Sequence, residues 1–141
     1  MVLAGVPSSV ALDLKADRKK VNAANRVIVL PNVINRDESF ILSKSDARQR
    51  LGISPDDFVV GSIGRLVEKK NFSLLLQAFA ACPEEFGRLV IIGEGPQRAL
   101  LESLKSKLGL DDRLSLLGHI NDAANVVSAF DVFVLSSGTA E

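Results

Sequence analysis

Between Phe58 and Phe72 the chain reads FVVGSIGRLVEKKNF, an apolar run that breaks at Gly64 into a turn carrying Arg65, Lys69 and Lys70. A short run rich in Val and Ile and bounded by Gly predicts a buried strand. Directly after it, Phe72, Leu75, Leu76 and Phe79 fall at i, i+3, i+4 and i+7, the stripe by which a helix lies on a sheet. Cations therefore sit in a strand-to-helix turn. In an open parallel sheet such turns form the crevice at the carboxyl ends of the strands, where helix N-termini favour anions. The expected ligand carries phosphate.

The rest of the chain repeats this unit. Ser8 to Lys20 has a helical apolar side, and Val27 to Leu30 is a strand stopped by Pro31. Residues 31–44, PNVINRDESFILSK, have no clear period and serve as a connector. Ser45 is the expected cap of a helix over Asp46 to Leu51, ended by Gly52 in a left-handed conformation. Leu89 to Ile92 is the next strand, followed by Gly93-Glu94-Gly95-Pro96, with Pro96 in the first turn of a helix whose apolar side is Leu100, Leu101, Leu104 and Leu108. Leu114 to Leu117 and Val132 to Leu135 are the last strands, separated by a short helix containing Val126 and Val127 and capped by Asn121 or Asp122. Strands that are nearly uniformly apolar and alternate with helices imply a Rossmann-like α/β fold, a parallel sheet covered on both faces. The expected strand order is 3-2-1-4, with the Phe58 to Ile63 strand central.

Composition limits the function classes. The 141 residues are 47% hydrophobic and 24% charged, with a formal net charge of +0. No overall field favours nucleic acid or an anionic membrane, so an anion site must be local. The single cysteine, Cys82, excludes an internal disulfide and reads as a small apolar residue near a helix end. The opening MVLAGVPSSVAL lacks a basic segment and is broken by Pro7, which argues against a signal peptide or membrane span. A nicotinamide site is excluded because Gly61 and Gly64 have the wrong spacing, and Gly93-Glu94-Gly95 continues Pro-Gln-Arg where a third glycine belongs. No Gly-Lys-Ser/Thr follows the first strand either. The turn offers side-chain cations instead: Arg grips two phosphate oxygens in a fork and Lys adds a point charge, which suits a diphosphate.

GSIGRLVEKKN, LVIIGEGPQRALLESLKSKLGL, DRLSLLGHIND and DVFVLSS together resemble the donor-binding C-terminal domain of GT-B fold retaining glycosyltransferases, specifically glycosyltransferase family 4. The resemblance covers about Val27 to Glu141. VIVLPNVIN resembles the strand and hinge leading out of that family's N-terminal domain, with Val33 where Gly is common. Residues 1–30 would then be a remnant of the N-terminal domain with its hinge strand, 31–44 the connector and 45–141 a partial donor domain.

The resemblance implies roles. Arg65 and Lys70 match a Gly-Arg-Leu-x-x-x-Lys pattern whose cations hold the donor diphosphate and stabilise the leaving group, and Gly64 lets the ligand approach. Lys69 is read as a solvated neighbour. Asn71 stands where the family has Gly, a mild departure because Asn tolerates the left-handed region. Gly118, His119 and Ile120 correspond to the loop that meets the nucleobase, with the His119 side chain at the rim and without a proton-transfer role. Glu141 fits the first Glu of a pair, the one that contacts the donor sugar; the second, eight positions on, would follow the end of the chain. The implied reaction is retaining transfer of a sugar from a nucleotide sugar to an acceptor hydroxyl on a carbohydrate or lipid-linked acceptor. No metal is expected, because there is no Asp-x-Asp and the pairs Asp56-Asp57 and Asp111-Asp112 read as turn residues. The implied location is cytoplasmic, at the inner face of the membrane only through parts outside this chain. The 141 residues alone are expected to show no turnover. The rival reading is a non-catalytic, truncated Rossmann-like nucleotide-binding or interaction module, with sugar-nucleotide epimerases as a lesser alternative.

Overall fold

The structure, a computed structural model, describes residues 41–138. The helix expected over Ser8 to Lys20, the Val27 to Leu30 strand, most of the 31–44 connector and Glu141 lie outside the described residues. Four parallel strands, β1 (Val59–Ile63), β2 (Arg88–Ile92), β3 (Leu114–Gly118) and β4 (Val132–Phe133), form one sheet in the order β3-β2-β1-β4. This is the order expected from the sequence, with β1 central. Among the described residues, three α-helices pack on it: α1 (Lys44–Leu51), α2 (Phe72–Ala80) and α3 (Arg98–Lys107). Among the described residues, no helix is long and apolar enough to cross a membrane.

Alternation along the strands divides the core in two. Val60, Leu89, Ile91 and Leu114 point to one side and meet Phe72, Leu75, Leu76 and Phe79 of α2 and Leu101 of α3. Val59, Val90 and Ile92 point to the other, against Ala47 of α1 and against Val126 and Ala129 of a 3₁₀ segment, Ala123–Ala129. Because both faces are covered, β2 is apolar at every position after Arg88. Each fully buried Leu, Val or Phe contributes roughly 1.5–3 kcal/mol. The stripe foreseen on α2 is its buried set without exception. On α3, Leu101 is buried but Leu100 is exposed, since it lies a helical step off the line through Leu101, Leu104 and Leu108. Gly61 sits within β1 because the Phe130 ring lies against the strand, and a Cβ there would fall 2.2 Å from it.

Other boundaries differ from expectation for identifiable reasons. Helix α1 starts one turn-fraction early, at Lys44, and its cap is Ser43 rather than Ser45. Ser43 has Asp46 three residues on, and its hydroxyl both accepts from the Asp46 N–H at 3.2 Å and donates to the Asp46 carboxylate at 2.7 Å. Three residues after Ser45 comes Arg48, which offers no such partner. Gly52 ends the helix with φ 65°, as foreseen. Pro96 lies in a turn before α3, where the Gln97 N–H donates to the Leu66 carbonyl and so draws the segment toward the loop after β1. Asp122 precedes the Ala123–Ala129 segment with φ 54°, but it contributes its carbonyl, accepting from the Asn125 N–H at 2.8 Å, and not its side chain. Strand β4 is shorter than expected. Val134 donates to the Gly61 carbonyl while its own carbonyl accepts from the buried Ser62 hydroxyl at 2.7 Å, and Leu135 turns out to solvent.

Asn71, between a 3₁₀ turn (Glu68–Lys70) and α2, has φ 50° and ψ 42°. The left-handed conformation foreseen for it is therefore present. Asn71→Ala should lower stability by roughly 1 kcal/mol, while Asn71→Gly should be near neutral, because relief of strain is offset by greater freedom in the unfolded chain. Urea midpoints of the two variants check this.

Candidate functional site

The carboxyl ends of β1, β2 and β3 are joined in a row. The Gly64 N–H donates to the Ile92 carbonyl at 2.9 Å, and the Gly93 N–H donates to the Gly118 carbonyl at 2.8 Å. One residue beyond Arg65, Leu66 fixes the cationic turn from below: its side chain is fully buried, its N–H donates to Glu94 at 2.9 Å and its carbonyl accepts from Gln97 at 3.1 Å. This leaves Arg65 exposed on the outer side of the turn.

Glycines at the strand ends serve two different ends. A Cβ on Gly93 would lie 1.9 Å from the Gly64 carbonyl oxygen, and one on Gly95 would lie 2.4 Å from that of Leu66. These two are needed for the loops to pack on one another, which is why the Gly-Glu-Gly-Pro segment carries glycines without being a dinucleotide fingerprint. Gly64 is different. A Cβ there would meet only the Phe72 ring at 3.5 Å and the Lys70 side chain at 3.8 Å, ordinary contacts.

A cleft of about 370 Å³ opens above this row, lined by Ile63, Gly64, Arg65, Ile92, Gly93, Glu94, His119, Ile120 and Ala123. Its floor is apolar, and charge enters from Arg65 on one side and Glu94 on the other. Arg65 also borders a second depression, shared with Val67, Glu68, Lys69 and Lys70. The Lys70 stem runs back toward Gly64, so Gly64, Arg65 and Lys70 occupy one corner. Gly118 is buried just behind the cleft wall. His119 is exposed at the rim, its Nε2 3.1 Å from the Asn121 side-chain oxygen. Of the seven site residues singled out from sequence, Gly64, Arg65, His119 and Ile120 line the same cleft, Lys70 and Gly118 adjoin it, and Glu141 lies outside the described residues. The segment following β4 packs on the cationic turn: Ser136 donates to the Lys70 carbonyl at 2.7 Å and the Gly138 N–H to that of Lys69 at 3.1 Å.

Sequence reasoning passed over Arg98. Its guanidinium donates to Glu94 at 2.7 Å, to Glu102 at 3.3 Å and to the Leu116 carbonyl at 3.1 Å, directly behind the Gly118 to Ile120 loop. The four-residue spacing to a carboxylate on either side was the available signal. Among the described residues, no three His, Cys, Asp or Glu side chains converge where a metal could be held. Asp57 pairs with Arg88 at 3.2 Å and Asp111 accepts from Ser106 at 3.0 Å, consistent with turn roles.

Known proteins resemble this chain in sequence and in fold. The lipopolysaccharide core biosynthesis glycosyltransferase LpsD of Rhizobium meliloti is 38% identical over 91 residues, which are 64% of this chain and 26% of that protein. The crystal structure of HepE from Anabaena in complex with UDP-glucose superposes with a TM-score of 0.70 at 29% identity, over 82% of this chain and 33% of that one. WaaG, a glycosyltransferase involved in lipopolysaccharide biosynthesis, shares the fold with a TM-score of 0.80 at 22% identity, over 97% of this chain and 38% of its own. The chain thus spans about a quarter to two fifths of the length of these proteins. The family profile described as "Glycosyl transferases group 1" matches residues 43–141, the span that holds the whole sheet and the cleft, and the chain belongs to that family.

Proposed function

We propose that this chain is the donor-binding part of a retaining glycosyltransferase of family 4, and that the cleft above β1 to β3 takes a nucleotide-diphosphate sugar. In this reading Arg65 and Lys70 hold the diphosphate, the Gly118 to Ile120 loop meets the base, and Glu141 contacts the donor sugar. Transfer to an acceptor hydroxyl in lipopolysaccharide, polysaccharide or glycolipid synthesis would belong to the whole protein, at the cytoplasmic face of the membrane. Cations positioned where negative charge grows on a departing nucleoside diphosphate lower the barrier electrostatically, so the reaction as proposed requires no metal.

One observation carries the reading: Arg65 from the β1 loop and His119 and Ile120 from the β3 loop face the same cleft, at the strand ends where such sheets bind ligands. Gly64 supports it, because the protein's own packing leaves room for a side chain there. A ligand lying against the backbone gives the glycine a purpose. HepE, the similar protein crystallised with UDP-glucose, makes UDP the probe of choice.

In an NMR titration, UDP should shift Gly64, Arg65, Lys70 and Gly118 to Ile120. Arg65→Ala should cost roughly 1.5–3 kcal/mol of binding, the value of a charge-assisted contact. Gly64→Ala should fold as the parent does yet bind UDP more weakly. Equal shifts with uridine, which has no phosphates, would remove the diphosphate role.

A further inference from the structure

Strand β3 does not pair evenly with β2. Ile91 stands opposite Leu116 and Ile92 opposite Gly118, so Leu117 is an extra residue, a bulge at the last step before the cleft. Bulges beside ligand sites re-aim the residues that follow them. Here the bulge turns Gly118, with φ 77°, and delivers His119 and Ile120 to the cleft wall. The Leu116 carbonyl, on the near side of the bulge, accepts from Arg98 Nη2 at 3.1 Å, while Arg98 Nη1 donates to Glu94 Oε1 at 2.7 Å. Gly118 rests on this pair: a Cβ there would come within 2.9 Å of Glu94 Oε1 and 3.6 Å of Arg98 Nη1.

We propose that Arg98 is a positioning residue for the base-binding loop, acting through the Leu117 bulge and setting affinity for the nucleoside half of the ligand without touching the diphosphate half. The inference rests on the nucleotide reading above. Its physical basis is the fork of the guanidinium, which spans a carboxylate and a carbonyl at once and so ties the loop after β2 to the end of β3. An ammonium reaches one partner at a time. The pair is partly exposed, and exposed ion pairs contribute little to global stability. Its removal should therefore alter the loop more than the fold.

The experiment measures binding of UDP and of inorganic pyrophosphate to the 141-residue chain and to its Arg98→Ala, Arg98→Lys and Arg65→Ala variants. Arg98→Ala should weaken UDP about three- to tenfold, a tenfold change being ~1.4 kcal/mol, and leave pyrophosphate unchanged. Arg98→Lys should recover part of the UDP loss. Arg65→Ala should weaken both ligands. His119 is the only histidine in the chain, so its ring resonance reports the loop even without ligand, and it should move in Arg98→Ala. The inference is overturned if Arg98→Ala leaves UDP binding and the His119 resonance unchanged, or weakens UDP and pyrophosphate by the same factor. The nucleotide reading itself fails, and the inference with it, if the parent chain binds neither ligand or if Arg65→Ala weakens neither.

Discussion

Asp131→Ala should destabilise the fold by roughly 1.5–3 kcal/mol, the range for losing a hydrogen bond to a charged group, because its part-exposed carboxylate is the partner of a buried cation. Arg48 is the reason. Its side chain is 5% exposed and its guanidinium donates to Asp131 at 2.8 Å, to the Ala129 carbonyl at 3.0 Å and to the carbonyls of Ser54 and Pro55. Among the described residues, only Asp131 supplies the countercharge inside this network. The same carboxylate accepts from the Val59 N–H at 2.7 Å, at the point where β1 enters the sheet, and from Lys44 at 2.6 Å. Alanine would leave a buried cation without its anion and a buried N–H without its acceptor. Asp131→Asn keeps an acceptor for Val59 and should lose about half as much. Urea unfolding of the two variants gives the comparison, and equal losses would assign the whole effect to charge.

The network also fixes the sign of a pH effect. Burial pushes the Asp131 carboxyl up, but the Lys44 hydrogen bond, the Val59 N–H and the Arg48 and Lys44 charges outweigh it and hold the group below the 3.8 of an unperturbed carboxyl. A lowered folded pKa means that its contribution is present above the pH where an unfolded Asp titrates, and is lost as pH falls from there through the folded pKa. The loss should begin near pH ~4 and grow below it. Asp131→Asn should flatten that part of the stability profile.

Local signals account for what the sequence disclosed and their absence for what it withheld. Phe72, Leu75, Leu76 and Phe79 form a stripe within a single element, and the stripe is the buried set of α2. The alternation of apolar runs with helices specifies a parallel sheet, and the handedness of crossovers leaves few orders for it. Arg65 stood out because ligand clefts in such sheets form at strand ends, whereas His119 and Ile120 came only from the family resemblance; the structure places all three around one cleft. Arg48 and Asp131, by contrast, are 83 residues apart, and neither stands in a pattern that names the other. Choosing Ser43 over Ser45 as a cap depended on the acidic residue three positions on. Both serines satisfy the propensity; one alone has the reciprocal partner. The Arg98 contact to the Leu116 carbonyl depended on a bulge, which one strand's sequence does not announce without its neighbour's register.

Gly93 joins fold to site most tightly, and Gly93→Ala should damage both. Its φ is 151°, which side chains rarely adopt, and the atoms that a Cβ would strike are the Gly64 carbonyl oxygen at 1.9 Å and carbon at 2.9 Å. Backbone cannot rotate away as a side chain could. Overpacking at this level costs about 1–3 kcal/mol, and a residue held in a sparsely populated backbone region adds a similar amount. Gly52 is the internal comparison. It too has positive φ, 65°, but nothing lies within 4 Å of its Cβ position, so Gly52→Ala should carry only the left-handed penalty of roughly 1–2 kcal/mol. The strain at Gly93 would be relieved by moving the loops after β1 and β2 apart by well over an ångström, and Gly64 and Arg65 travel with the first of them. Gly93→Ala should therefore lose UDP affinity even at temperatures where circular dichroism shows it folded, whereas Gly52→Ala should retain it. If the two variants lost equal stability and bound UDP alike, the contact between the β1 and β2 loops would not be what shapes the cleft.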